Sequence, residues 1–284
     1  MPPWRTLLGD HPATRALRDG RVASSQVAFD FADVAVPHKA FKRVVRDLEF
    51  DVAELALMTF LMARSRGVPL RLLPVALFSR NPLNLLVYRT ALGCLAPRDL
   101  EGRSVGVRAY TTTTAVWARA LLADCFGVDL ERLLWRTHEE GHVAGVQEPS
   151  NDHRDPAHAD LAELLLTGSI DAAIVDPVPA DPGVARLVPD ADDVWCTWQR
   201  STGARTVNHV VVIRESLARD AAPMCELLRL FERSRDLTDP AAGGSFAMGL
   251  EAIEPSLETA IAAAGRQHLL ASPLTVDDLV IDAI

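Results

Sequence analysis

The pentad His138-Glu139-Glu140-Gly141-His142 brings two imidazoles and two carboxylates together in a short run of sequence. Nearby carboxylates favour the protonated form of an imidazole, which makes His142, with Glu140 beside it, the leading candidate for delivering a proton near neutral pH. A surface loop histidine is the plain alternative. The pentad also satisfies the H-E-x-x-H pattern of zinc proteases, with Glu163 downstream as a third ligand. That chemistry needs a continuous helix to put both histidines on one face. Gly141, Gly145 and Pro149, after the strand-like LLWRT, are poor helix material, so the spacing argues against a zinc protease.

Other residues suit the binding of an anion. Tyr110, Thr112 and Thr113 precede a helix start, where exposed N–H groups and the helix dipole favour negative charge. Ordinary N-capping by one threonine is the competing view. Arg80 and Arg108 end strands and could clamp a carboxylate bidentately, or could form surface ion pairs. His209 opens the strand HVVVIR and reads equally as a catalytic or a capping histidine. His11, beside Asp10 and Thr14, either lines a site or serves the start of a helix. Trp117 reads as core and Arg119 as a structural partner.

The elements that must position these groups alternate between strand and helix, the signature of an α/β protein. VAFDF (27–31) reads as a strand, HKAFKRVVRDLEF as a helix, and DVAELALMTFLMARSRG as a buried strand and a helix stopped near Gly67. LRLLPVAL and NLLVYRT are further strands. SVGV leads into a helix from about Thr114 to Phe126, DLERLLWRT reads as helix and strand, and ADLAELLLTGSIDAAIV as helix, glycine stop and strand. Helices are expected around Ala222–Arg235, Pro255–Gln267 and Val276–Asp282. EPSNDHRDPAHAD reads as the longest polar loop. There is no P-loop, no G-x-G-x-x-G after a strand and no G-x-S-x-G, and GGSF at Gly243–Phe246 reads as a loop.

At 284 residues the chain is long enough for two lobes, and its 49% hydrophobic and 24% charged residues are ordinary for a globular protein. A net charge of −9 argues against nucleic acid as a partner, although local arginines can still hold an anionic small molecule. Lysine occurs only at Lys39 and Lys42. Neither a secretory leader nor an apolar run of about 18 to 20 residues is evident, so no membrane partner is expected and the cytoplasm is the expected compartment. Cys94, Cys125, Cys196 and Cys225 lie far apart and read as buried thiols in a reducing compartment.

Several blocks resemble the 4,5-dihydroxyphthalate decarboxylase family, within the wider group of proteins similar to periplasmic solute-binding components. They are GDHPATRALRDGRV, EFDVAELALMTFLMARSRG, LEGRSVGVRAYTTTTAVWARALL, EEGHVAGVQEP, LLTGSIDAAIV and MGLEAIEPSLETAIAAAGRQHLLASPLTVDDL. They follow the family's order and span nearly the whole chain. The most specific are the tract from Val105 to Arg119 and the block ending at His142. The resemblance implies an α/β, two-lobed, periplasmic-binding-protein type 2-like fold with two crossovers and an interlobe cleft. Residues 1–92 and 213–284, with the C-terminal helices, would form lobe 1 and 93–212 lobe 2, with crossovers near Tyr88–Leu95 and in Arg205–Ser216.

The implied activity is non-oxidative decarboxylation of a small hydroxylated aromatic or heteroaromatic acid, with ring protonation by a histidine in the cleft. Such chemistry needs a proton for the carbon bearing the carboxylate and cationic groups to position it. The catalytic candidates are then His142, Glu140 and His209, and the substrate-binding ones His11, Arg80, Asn84, Arg108, Tyr110, Thr112 and Thr113. Leu83-Asn84 stands where the family has an Arg-His pair, and His11-Pro12-Ala13 where it tends to have Tyr-Asp-Arg. These departures imply an acid with fewer anionic groups than the family's dicarboxylate. No cofactor is expected, and a divalent metal at His142 stays open. The expected partner is a small carboxylic acid, and enzymes of this kind often form homo-oligomers. A solute-binding module without turnover is the alternative.

Overall fold

The computed structural model describes residues 2–157, 160–237 and 246–281. The chain forms two compact units, one of Met1–Arg80, His142–Ala144 and Val207–Ile284, the other of Asn81–Gly141 and Gly145–Thr206. The first unit begins with β1 (Trp4–Leu7), α1 (Pro12–Arg18), β2 (Phe29–Phe31), α2 (Phe41–Arg46), β3 (Val52–Ala56), α3 (Leu57–Arg64) and β4 (Leu70–Ser79). The second holds β5 (Leu86–Arg89), β6 (Ser104–Val107), α4 (Thr113–Phe126), β7 (Leu134–Thr137), β8 (Asp152–Arg154), α5 (Leu161–Thr167), β9 (Ala172–Ile174), β10 (Val184–Arg186) and α6 (Ala191–Thr202). The chain returns to the first unit with β11 (Val207–Arg214), α7 (Ala221–Asp236), β12 (Ala247–Met248) and α8 (Leu250–Arg266).

Each unit is built on a six-stranded mixed sheet. In the first the order is β12-β4-β11-β3-β1-β2. There β1 runs parallel to β2 and β3, while β11 is antiparallel to β3 and β4. The carboxyl ends of β1, β3 and β4 and the start of β11 therefore share one edge of the sheet. Ligand sites of open α/β sheets collect at such an edge. In the second unit the order is β10-β5-β9-β6-β7-β8, with β9, β6, β7 and β8 parallel.

Every residue of β3 is buried, as expected of a strand covered on both faces. One cover comes from α7, which buries Met224, Leu227, Leu230 and Phe231 at helical spacing and packs on α1. Against β3 itself pack α2 and α3, while α8, which buries Ile253, Leu257, Ala260 and Ala264, packs on α3 and β4. A fully buried side chain of this size contributes roughly 1.5–3 kcal/mol. In the second unit α4 buries Trp117 and Arg119 completely and ends at Gly127, whose left-handed φ of 65° stops the helix. Arg119 is a structural partner: its Nη2 donates to the Tyr110 carbonyl at 2.7 Å, and its guanidinium lies 3.8 Å from the Tyr110 ring centroid.

Several sequence expectations are revised. β5 pairs with β9 and β10, so the chain leaves the first unit at Arg80–Asn81, earlier than expected, and it returns at Thr206–Val207, inside the expected range Arg205–Ser216, with β11 completing the first sheet. The polar stretch after Glu148 contains β8, which pairs with β7. Residues 276–281 form a turn and an isolated bridge from Val280 to Leu72 rather than a helix, while Asp282 lies outside the described residues. Of the GGSF stretch, Gly243, Gly244 and Ser245 also lie outside them. The four cysteines are exposed free thiols, not buried ones, because Cys125, Cys196 and Cys225 occupy the solvent faces of α4, α6 and α7 and Cys94 follows a short turn. No helix among the described residues is long and apolar enough to cross a membrane.

Asp152 lies on β8 of the second unit. Its Oδ2 accepts from Thr137 Oγ1 at 3.2 Å, and its Oδ1 has no hydrogen-bond partner among the described residues. Burial, then the charge of Glu148, pushes the carboxyl up to about 6, against the pull of Thr137, Arg119 and Arg154. The folded chain thus holds this proton more tightly than the unfolded chain, whose carboxyl has the ordinary value of 3.8. Stability from protonated Asp152 is fully present below that value and is lost as the pH rises through about 6. Denaturation of the wild type and Asp152→Asn across this range should show a falling contribution in the wild type that the variant lacks. An identical slope in both proteins would contradict this assignment.

Candidate functional site

Glu54 is the central residue of β3, and its side chain is 1% exposed. The antiparallel register pairs Val211 with Glu54 and His209 with Ala56, so strand alternation puts His209 on the same face as Glu54. β1 runs beside β3 and delivers Gly9 and His11 just past its end. The result is a carboxylate held from three sides. Gly9 N–H donates to Glu54 Oε2 at 2.8 Å, His11 Nε2 lies 2.8 Å from Oε1, and His209 Nδ1 lies 2.5 Å from Oε1. Burial alone would push the Glu54 carboxyl up, but the hydrogen bonds and charges of His11 and His209 outweigh it and hold the group well below the usual carboxylate range. Glu54 is therefore an acceptor only. That fixes the tautomers, with a proton on His11 Nε2 and on His209 Nδ1.

The loop is built for close approach. A Cβ on Gly9 would lie 2.8 Å from His11 Nε2, 2.9 Å from Glu54 Oε2 and 3.0 Å from Pro37 Cγ. His11 itself begins α1: its N–H donates to Thr14 Oγ1 at 3.0 Å, and Thr14 Oγ1 donates to the Gly9 carbonyl at 2.5 Å. His11 thus serves the start of α1 with its backbone while its ring meets Glu54.

A series of rings extends the cluster. Phe78, near the end of β4, lies 5.7 Å from His11 and 4.5 Å from His209 between ring centroids. Phe41, fully buried at the start of α2, stands edge-on to His209 at 5.2 Å and to His142 at 5.4 Å. His142 belongs to the three residues that the intervening chain lends to this unit. Its Nδ1 is 3.1 Å from Thr59 Oγ1 of α3, and its carbonyl accepts from Arg46 Nε at 2.8 Å. The Arg80 guanidinium lies 5.7 Å from the Phe78 ring centroid. Four sequence candidates, His11, Arg80, His142 and His209, therefore gather around Glu54, Phe41 and Phe78.

The remaining candidates lie in the second unit. Residues 138–142 form no helix, so the metalloprotease geometry is absent. Glu140 is exposed, and Arg108 pairs with Glu139 at 3.2 Å. Tyr110 is buried against Arg119 and Trp135. Thr112 is the N-cap residue of α4 without a side-chain capping bond, and Thr113, the first helical residue, is buried. Asn84 donates to Asp192 Oδ1 at 2.7 Å and accepts from Arg186 Nη1 at 3.1 Å. Sequence reasoning missed Glu54. Its signal was available: one acid inside the otherwise apolar run Val52–Leu57, where a charge persists only if it is paired.

The fold is that of the periplasmic binding proteins. The aliphatic sulphonate binding protein SsuA of Escherichia coli superposes with a TM-score of 0.63 at 13% identity, over 99% of this chain and 98% of that one. The alkanesulfonate-binding SsuA of Xanthomonas axonopodis pv. citri, bound to MOPS, gives 0.56 at 12% identity, over 97% and 96%. In sequence the chain is similar to the 4,5-dihydroxyphthalate decarboxylase of Comamonas testosteroni, 26% identical over 245 residues that cover 80% of this chain and 73% of the relative. A second protein of that name, from Pseudomonas putida, is 25% identical over 207 residues, 68% and 80% of the two chains. No family model matches the chain.

The crowding at Gly9 makes a direct test. Gly9→Ala should cost about 1–3 kcal/mol in denaturant melts, the usual penalty for overpacking, and should shift the His11 ring resonances. A variant as stable as the wild type with unchanged His11 signals would show that the loop is looser than described.

Proposed function

We propose that the protein is a non-oxidative decarboxylase of a small hydroxylated aromatic or heteroaromatic carboxylic acid. The observation that carries this reading is a pair of imidazoles ordered on one buried carboxylate, with a third imidazole, His142, joined to them through Phe41, in a chain similar to proteins named 4,5-dihydroxyphthalate decarboxylase. Loss of CO2 from a ring needs a proton at the carbon that bears the carboxylate. In the proposed step His142, held through Nδ1 by Thr59, delivers that proton to the ring carbon. The ring–carboxylate bond then breaks, its electron pair returns to the ring, and CO2 departs. A ring hydroxyl assists by releasing electron density to the carbon under attack. Arg80 supplies positive charge for the carboxylate, and Phe78 offers an aromatic surface beside His11 and His209.

The substrate proposed here carries fewer anionic groups than a dihydroxyphthalate. Leu83 is fully buried and Asn84 is engaged by Asp192 and Arg186, so this segment supplies neither of the cationic residues that the resemblance leads one to expect there. A second reading, capture of such an acid without turnover, draws on the likeness in fold to the sulphonate-binding proteins.

Incubation with a panel of hydroxylated aromatic acids, followed by CO2 release, separates the two readings. The decarboxylase reading expects turnover of at least one acid and a fall in kcat on the order of 10²–10⁴ in His142→Ala, with affinity within a few-fold of wild type. Tight binding of acids with no CO2 would favour the capture reading. Tighter binding of 4,5-dihydroxyphthalate than of any monocarboxylate would contradict the proposed substrate.

A further inference from the structure

We propose that His11, Glu54 and His209 are the protein ligands of a divalent transition-metal ion. The donor atoms of the three residues all lie within 4.8 Å of one another, and no other such grouping occurs among the described residues. Two imidazole nitrogens and one carboxylate oxygen form a donor set suited to zinc and its first-row neighbours. The arrangement converges on one point, because His11 Nε2 and His209 Nδ1 approach the same Oε1 at 2.8 and 2.5 Å. An ion about 2.0–2.2 Å from each donor would sit where the two imidazole protons now lie, and those protons would pass to His11 Nδ1 and His209 Nε2, so that both rings stay neutral. It would require these separations to open only modestly.

The supports of the trio are those that metal ligands need. Glu54 Oε2 is tethered by Gly9 N–H, which keeps Oε1 turned towards the imidazoles. Glu54 and His209 sit on paired strands, and His11 is anchored by Thr14 at the start of α1. The carboxylate is 1% exposed, whereas the His11 and His209 side chains are 25% and 18% exposed, so an ion has access from the imidazole side. His142 contributes no donor to the trio, which moves the metal position left open at His142 to a different place. Two neutral imidazoles, one carboxylate and a divalent ion carry a net charge of +1. With coordination positions left over for substrate oxygens, such a centre draws an organic acid. This last role rests on the decarboxylase reading; the binding of the ion does not.

The test uses the full chain, freed of metal by chelator and titrated with Zn(II) or Co(II) alone. The expected result is one ion per chain, visible-range absorption from bound Co(II), and a raised thermal midpoint. His11→Ala, His209→Ala and Glu54→Gln should each weaken binding by at least the 10–100-fold that loss of a mere supporting contact costs. His11→Ala, at the exposed side, keeps the test valid if Glu54→Gln does not fold. Failure to bind either ion at micromolar concentration, or binding unchanged in His11→Ala and His209→Ala, overturns the proposal. Ion binding without turnover of any acid would remove the decarboxylase reading and leave the metal site intact. Turnover undiminished by chelation, with no ion bound, would do the reverse.

Discussion

A carboxylate at the centre of an apolar sheet must be compensated or neutralised, and the first unit is arranged to compensate it. Glu54 accepts from one backbone amide and two imidazoles, and each of those donors imposes a demand of its own. The amide demands a residue without a side chain at Gly9. The imidazoles must come from opposite directions, one from the loop after β1 and one from the neighbouring strand β11. An isolated buried carboxylate would cost several kcal/mol, which is why removing a donor from such a site is more damaging than the worth of one hydrogen bond suggests.

The sheet topology makes this meeting achievable. β1 and β3 run parallel and β11 antiparallel to them, so a residue just beyond β1 and one near the start of β11 reach the same edge. Phe78 arrives there from the end of β4, and Phe41 and Thr59 come from the helices that flank β3. His142 is separated in sequence from all of them and comes from a three-residue segment of the chain lent to this unit. The same fold carries sulphonate-binding proteins, so chemistry here depends on the side chains at that edge rather than on the architecture.

Much of this was legible in the sequence. Alternating strand and helix patterns gave α/β architecture, and the Thr-rich tract marked α4 because a helix start and its glycine stop are local signals. His11, His142 and His209 could be picked out by residue type, yet nothing local said that they lie together. That grouping depends on the register between β3 and β11 and on the path after Gly141, which are long-range facts. Glu54 was hidden because a buried apolar strand draws attention to its apolar residues. β8 was hidden because Asp152, His153 and Arg154 look like loop composition, although pairing with β7 decides the matter. The turn at 276–281 failed as a helix because its backbone is engaged locally and by Leu72 instead of in helical bonds.

The central claim is that Glu54 is ionised and fixes how both imidazoles present themselves. Nitrogen-15 chemical shifts of the histidine rings in metal-free protein address it most directly. The account requires His11 to carry hydrogen on Nε2 and His209 on Nδ1, each in slow exchange. Finding either ring with its bare nitrogen turned towards Glu54 would contradict it.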